Sequence, residues 1–293
     1  VGLGKTLTMI TLTLANAAQG ENAADITPSR KLRALLAKAK GDDGTLDHPV
    51  RLHSRATLIV CPSNLAEQWK EEAETHSNPP LKTCVLATIH NHRAMTWSDA
   101  LNADLIIVTV QFLRNKNYLM KVLGVKDSLP SMSGYGAKKA FWEKRSKCIN
   151  RAATQQAQQF IDNQAAALRK KEPILEAIHW RRIVLDEGHE ALESYGKSAH
   201  YSSTVKNQLD DIGNFLADYH ADFRWYQTGT PFPRKETSLN VALEFLNWKI
   251  CKGSKFTVEK MQDLPQPALP LMYETIHKLL FWKNSKGEVD KQG

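Results

Sequence analysis

Cysteine is scarce in this chain: four in 293 residues (Cys61, Cys84, Cys148, Cys251), far apart and with no C-x-x-C pair. That spacing argues against a zinc site or a disulfide framework and makes reduced thiols of a cytosolic or nuclear protein the default. No apolar run approaches the ~18 residues needed to span a bilayer, so no membrane partner is expected. There is no internal repeat, and no initiator methionine; the chain opens at Val1 inside a motif and is expected to be a fragment. Net acidity is lacking too. The formal charge is +8 and the pI about 9.2, which tilts the expected partner toward polyanions such as nucleic acid. Between Lys116 and Lys171 lie twelve Lys and Arg against three Asp and Glu. The excess positive charge is therefore local, and the rest of the chain is close to neutral.

What is present reads as alternating strands and helices. Five short apolar runs have strand length: ATLIVC (56–61), TCVLA (83–87), DLIIVT (104–109), RRIVLD (181–186) and FRWYQT (223–228). They are rich in β-branched or aromatic residues, and some are nearly continuous in apolar residues, as central parallel strands covered on both faces tend to be. Helical stretches are predicted at 6–18, 64–76 and 204–219. Alternation of this kind implies an α/β fold built on a parallel sheet. Residues 20–55 carry breakers (Thr27-Pro28, Gly41-Asp42-Asp43-Gly44) and read as a surface insertion with a short helix near 31–40. Residues 115–175 form a second, basic insertion; its Ala137–Lys171 part is proline-free and of good helix propensity.

Three strings carry chemistry. GLGKT (2–6) opens a helix and matches the second half of the P-loop pattern G-x-x-x-x-G-K-[ST]. Gly2 and Gly4 let backbone N–H groups, that of Leu3 among them, turn toward phosphate oxygens. Lys5 would reach the β- and γ-phosphates and Thr6 would coordinate Mg2+. The helix N-terminus adds its dipole. VLDEGH (184–189) ends an apolar strand: Asp186 is placed to hold magnesium and Glu187 to polarise the attacking water. His189 could link this turn to a third string, WYQTGTPFP (225–233), where Thr228, Gly229 and Thr230 could sense the γ-phosphate. Each string alone has a plain alternative: a tight helix start, a polar strand-to-loop turn, or an ordinary strand exit. Their occurrence in this order favours an ATP site.

The order and spacing resemble motifs I, II and III of superfamily-two helicases, and more narrowly the Swi/Snf family of DNA-dependent ATPases. The strings that carry the resemblance are GLGKTLTMI (2–10), TLIVCPSNLAEQWKEEAETH (57–76), ADLIIVTVQFLR (103–114), HWRRIVLDEGHE (179–190) and RWYQTGTPFP (224–233). The tail IHKLLFWKNSKGEV (276–289) is similar to the basic segment that closes the first lobe. The resemblance implies a three-layer RecA-like parallel sheet with flanking helices, spanning 1–293 as the N-terminal ATP-binding lobe of a motor. ATP and Mg2+ would be its cofactors. Double-stranded DNA would be its partner, with nucleosomes as a further candidate. Motif Ia would bring Ser63 and Gln68 to the tracking strand, motif Ib would bring Thr109, and Trp180, Arg181 and Arg182 are typical before the acidic strand. For Ser63 an N-cap role before the 64–76 helix is an equal reading. Departures are Thr8 where many members have Gln, Pro233-Arg234 after T-G-T-P where Gln-Asn is usual, and Trp282-Lys283 in place of paired arginines. The acidic box with Gly188 resembles a subgroup often fused to RING ubiquitin ligases, although no RING cysteines occur here.

Nothing after Thr230 resembles the second lobe, in which the family carries its arginine fingers. Such a finger is worth roughly 10³–10⁵ in rate, so this chain alone is expected to bind ATP weakly and hydrolyse it very slowly. The resemblance implies remodelling or repair as the biological setting and the nucleus as the location in a eukaryote, otherwise the cytoplasm. Other readings are an RNA or restriction-type helicase lobe and a catalytically silent scaffold. The basic insertion has two readings as well: a DNA-binding addition using Lys138, Lys139, Lys144, Arg145 and Lys147, or a helix whose Phe141 and Trp142 pack back onto the lobe. His90 and His92 read as loop histidines rather than metal ligands.

Overall fold

A computed structural model describes residues 4–15, 30–39, 49–130, 134–189 and 212–229, together with Ala242, Phe245 and Leu246. The predicted apolar runs become five strands: β1 (Leu52–Cys61), β2 (Thr83–Leu86), β3 (Leu105–Thr109), β4 (Ile178–Leu185) and β5 (His220–Tyr226). They form one sheet in the order β2-β3-β1-β4-β5, and every pairing is parallel. The expected α/β fold with flanking helices is therefore present. Strand β1 begins at Leu52, so it extends into the stretch read as surface insertion. Its first residues look loop-like because Ser54 is polar, but the buried Ser54 hydroxyl donates to the Ala100 carbonyl at 2.8 Å and costs little there.

Helices α1 (Lys5–Ala15), α2 (Arg30–Ala39) and α3 (Ala66–Thr75) fall where helical stretches were predicted. Four short ones follow: α4 (Ile89–Ala94), α5 (Trp97–Asn102), α6 (Val110–Leu113) and α7 (Lys116–Leu123). The proline-free basic stretch forms the 28-residue α8 (Tyr135–Asp162) and then α9 (Gln164–Arg169). Helix α10 (Ile212–Ala217) precedes β5. The first part of the predicted 204–219 helix lies outside the described residues. So do most of 20–55 and the whole 276–289 tail, with Pro233, Arg234, Trp282 and Lys283.

Strand side chains alternate between two cores, as period two requires. Leu58, Val60, Ile106, Val108, Ile183 and Leu185 join the larger core, with residues of α5, α7 and α8. Ile59, Cys61, Leu105, Ile107 and Val184 join the other, with Met9 and Ile10 of α1 and Ala66, Trp69 and Ala73 of α3. The sheet is thus the middle of three layers.

Register then positions the chemistry. Cys61 is level with Thr109, Val60 with Leu185, and Leu185 with Tyr226. The turns at 62–63, 110–111, 186–189 and 227–229 consequently leave the sheet along one edge, at the carboxyl ends of the strands, where open parallel sheets gather their ligands.

Helix α8 lies at the opposite strand ends. Asn150 accepts from Arg51 Nη2 at 2.7 Å, and Thr154 Oγ1 accepts from Val50 N at 3.3 Å, both just before β1. Its Arg145, fully buried, pairs with Glu176 ahead of β4 and Asp218 ahead of β5. Phe141 is buried and Trp142 packs edge-on against Phe215 with centroids 5.0 Å apart. The packed-back reading of this segment holds for Phe141 and Trp142. Arg145, named in the DNA-binding reading, needs correcting: it is buried between two carboxylates. Lys139, Lys144, Lys147 and Arg151 remain exposed.

Candidate nucleotide site

Two of the turns on the carboxyl edge, 186–189 and 227–229, meet at Lys5. Gly4, at φ +68, takes the left-handed conformation that glycine adopts without strain and starts α1. The Thr8 hydroxyl donates back to Gly4 O at 2.8 Å, which braces the first helical turn. From that turn the Lys5 ammonium forms an ion pair with Glu187, 182 residues away in sequence. Gln227 Nε2 donates to the Lys5 carbonyl at 3.1 Å, tying the helix start to the end of β5. Thr6 sits in the same first turn, half-buried. Gly2, Leu3 and Thr230 lie outside the described residues.

The acidic turn is held on every side. Asp186 N donates to Val60 O at 2.8 Å, and Gly188 N to Gln227 O at 3.0 Å. Asp186 is 5% exposed; its Oδ2 accepts from Trp69 Nε1 at 2.8 Å and its Oδ1 from Glu187 N at 2.9 Å. Glu187 takes φ +44, a region that costs a residue with a Cβ of order 1 kcal/mol or more and that clusters at functional sites. This conformation accompanies the turn of its carboxylate toward Lys5. Glu187 Oε2 also accepts from Gly229 N at 3.2 Å and lies 3.3 Å from His189 Nδ1. His189 Nδ1 and Thr228 Oγ1 are 2.6 Å apart. The acidic turn and the T-G-T turn are thus joined by side chains as well as backbone.

Two adjacent carboxyls are pushed apart in acidity. Burial raises the Asp186 pKa above the usual aspartate value, and the Glu187 charge adds to this; the Trp69 hydrogen bond and the Lys5 charge offset it only in part. Burial also pushes Glu187 upward, but the Lys5 hydrogen bond, the Gly229 N–H and the Lys5 and His189 charges outweigh it and hold it below the usual glutamate value. Glu187 is consequently the better-stabilised anion of the pair. Burial beside Asp186 pushes the Cys61 thiol up to about 12, so it stays protonated and unreactive.

Thr6 hydroxyl and Asp186 carboxylate are hard oxygen donors, the kind Mg2+ takes. Among the described residues no group of three or more His, Cys, Asp or Glu could hold a metal unaided. Mg2+ commonly keeps water and takes only one or two protein carboxylates together with substrate phosphates. Each Asp186 oxygen accepts one hydrogen bond and keeps a lone pair for such a role.

The three residues expected to touch nucleic acid fare differently. Ser63 is exposed and donates to Gln111 Oε1 at 2.6 Å; it caps nothing, because Leu65 stands at the α3 N-cap with no side-chain bond. Gln68 is exposed on α3, bonded to Glu72 at 2.7 Å. Thr109 needs correcting: it is wholly buried, and its hydroxyl accepts from Phe112 N at 3.1 Å as the N-cap of α6. The exposed polar group at this turn is Gln111, which the sequence reading missed. Its contact with Ser63 could not have been read from spacing, since 48 residues separate them.

Other residues of the recognised strings are structural. Trp180 is buried, its indole donating to Leu175 O at 3.0 Å. Arg182, 1% exposed, donates to Thr57 Oγ1 at 2.8 Å, and Thr57 meets Thr13 of α1 at 3.3 Å, a polar chain under the helix that carries Lys5. Arg181 pairs with Asp222 at 3.1 Å. His90 and His92 lie on α4 rather than in a loop. His92 is buried, Nε2 2.8 Å from the Pro173 carbonyl, with its ring edge-on to Tyr118.

Residues 1–291 match the profile of the SNF2-related domain family. Transcription termination factor 2 of Drosophila melanogaster is 25% identical over 84% of this chain, which covers 17% of that protein. DNA repair protein RAD5B of Arabidopsis thaliana is 25% identical over 100% of this chain and 18% of its own length. The chain therefore spans about a fifth of the curated relatives it matches. Among solved structures it is similar to a Sulfolobus solfataricus SWI2/SNF2 ATPase core in complex with dsDNA, with TM-score 0.44, 14% identity, and coverage of 87% of this chain and 43% of that one.

Proposed function

Because the chain belongs to the SNF2-related domain family, we propose that it is the ATP-binding lobe of a DNA-dependent ATPase, a double-stranded DNA translocase of the remodelling or repair type. The observation that carries this reading is the convergence of Lys5, Glu187, Gly229 and the His189–Thr228 pair on one spot. In this reading Lys5 leaves Glu187 for the phosphates, and the freed carboxylate, losing its cation, becomes the more basic group beside the attacking water. Bound through Thr6 and Asp186, Mg2+ would neutralise phosphate charge. His189 and Thr228 would carry the state of the acidic turn to the end of β5.

Duplex DNA is the proposed partner, engaged through exposed Ser63, Gln68 and Gln111, groups that read backbone rather than base sequence. Nucleosomal DNA is a finer proposal, supported by the exposed α8 cations. A second RecA-like lobe of the parent protein would supply the arginine finger, with residues 1–293 as the first lobe and 115–175 as its basic helical addition. Nuclear action is part of the same proposal; among the described residues no helix is long and apolar enough to cross a membrane. The test is ATPase turnover of the full-length protein with duplex DNA, with RNA and without either, alongside Lys5→Ala. Turnover stimulated by duplex over RNA and abolished by the substitution is expected. Activity that survives Lys5→Ala would refute the site, and stimulation by RNA alone would favour an RNA helicase.

A further inference from the structure

The indole of Trp69 joins two parts of the molecule that a motor has to keep in communication. Trp69 is 1% exposed and shares its core cluster with Met9 and Ile10 of α1 and Val184 of β4. Its Nε1–H does not go to a main-chain carbonyl; it donates to Asp186 Oδ2 at 2.8 Å, across 117 residues of sequence. The next residue back on α3, Gln68, faces solvent, as does Ser63 just before the helix, where it meets Gln111. One helix therefore bears an exposed polar face and a buried donor to the carboxylate proposed for magnesium. A phenylalanine would fill the apolar part of this space with no polar atom to satisfy, so what the indole adds is the donor. Among the described residues, Asp186 is otherwise held by its own N–H, which donates to Val60 O of β1, and by Glu187 N, which donates to its Oδ1. The indole is thus the side-chain tether between Asp186 and α3.

We propose that Trp69 is a positioning residue that ties Asp186 to α3, so that nucleic acid held against α3 and Mg-nucleotide held at Asp186 influence one another. This rests on the ATPase reading above. Coupling of this kind is reciprocal: if duplex binding at α3 favours the magnesium-competent placement of Asp186, Mg-nucleotide must act back on α3. Groups that orient a metal-binding carboxylate typically contribute roughly 10- to 100-fold to metal affinity.

The test uses the full-length protein with Trp69→Phe. As a second variant, Trp69 is replaced by benzothienylalanine, which keeps the bicyclic shape and exchanges only the N–H for sulfur. The Mg2+ concentration that half-saturates binding of a fluorescent ATP analogue is expected to rise roughly tenfold. Hydrogen exchange of residues 66–75 should slow on adding Mg-ADP to the wild type and not in either variant. The ratio of ATPase rates with and without duplex should fall. If the benzothienyl variant keeps the wild-type Mg2+ requirement, exchange response and stimulation ratio, the proposal is overturned and Trp69 only fills the core. The same holds if Trp69→Phe lowers thermal stability and moves none of the three. If the wild type itself binds nucleotide without regard to Mg2+, it is the ATPase reading that fails, and this inference with it.

Discussion

Arg145 offers a quantitative test of how α8 is joined to the sheet. Its side chain is 0% exposed and meets Glu176, 1% exposed, and Asp218, 20% exposed. Glu176 also accepts from Tyr118 Oη at 2.6 Å, and that hydroxyl accepts from Leu175 N at 3.1 Å. The guanidinium lies over Phe215 at 5.0 Å and Trp142 at 5.7 Å. Arg145→Met keeps much of the packing volume but leaves Glu176 with one donor and no positive charge. Removing one partner of a buried pair costs about 3–5 kcal/mol, because the other charge stays buried. At about 2–4 °C per kcal/mol for a domain of this size, the melting temperature should fall by about 10 °C. The assay is thermal and urea unfolding followed by circular dichroism. Adding Glu176→Gln removes the stranded charge and keeps an acceptor for Tyr118, so the double variant should recover about half the loss. A single variant melting within about 2 °C of wild type would show that the network is not buried as described. A double variant equal to the sum of the singles would show that the two residues do not interact.

Further tests concern the site and the surface. A Cβ on Gly188 would lie 2.8 Å from Cδ2 and Cζ of Tyr226 and nearer still to Cε2, so Gly188→Ala must displace that ring. It should cost about 1–3 kcal/mol in urea unfolding, partly restored by Tyr226→Ser; an unchanged midpoint would refute the close approach. Glu187→Gln removes the anion that competes for Lys5, so ATP should bind more tightly while turnover in the full-length protein falls roughly 10²–10⁴-fold; weaker binding, by titration calorimetry, would contradict the exchange of partners. Burial, with Arg51, His179 and Arg224 nearby, lowers His220 to about 4. The unfolded chain therefore takes up that proton first as pH falls, so the contribution is complete above about 6.5 and is lost toward pH 4. The urea midpoint of wild type should drop more than that of His220→Gln between pH 7 and 5, modestly because the residue is only partly buried. Replacing Lys144, Lys147 and Arg151 with Gln should flatten the salt dependence of duplex binding by about one unit of slope for each phosphate no longer neutralised; an unchanged slope would exclude α8 from the DNA surface.

The parts of this fold that were legible in sequence are those where a local pattern carries the information. Continuous β-branched runs marked β1, β3 and β4, and Lys5, Asp186 and Glu187 stood out because phosphate and magnesium chemistry requires those residue types at strand and helix ends. Positions were less legible where polarity misleads. Arg145 reads as one more cation on a basic helix, and only the tertiary fold reveals the two carboxylates that let it be buried. Thr109 reads as an exposed hydroxyl at a strand end, but the backbone turns at once into α6 and uses it as a cap. Trp69 reads as the apolar face of an amphipathic helix, and its bond to Asp186 spans 117 residues. β5 was read at 223–228 and runs from His220 to Tyr226, because His220 and Asp222 at its start are polar and exposed and break the apolar signal.

The placement of α8 has a consequence for how the protein can be handled. The helix underpins the starts of β1, β4 and β5, while the groups proposed to face phosphate stand beyond their finishes. A label or companion protein gripping its outward side would sit a strand length from the groups proposed to hold the nucleotide. A mechanical load applied there would pass through Arg145, Glu176 and Asp218 to β4 and β5, the strands that finish just before the 186–189 and 227–229 turns.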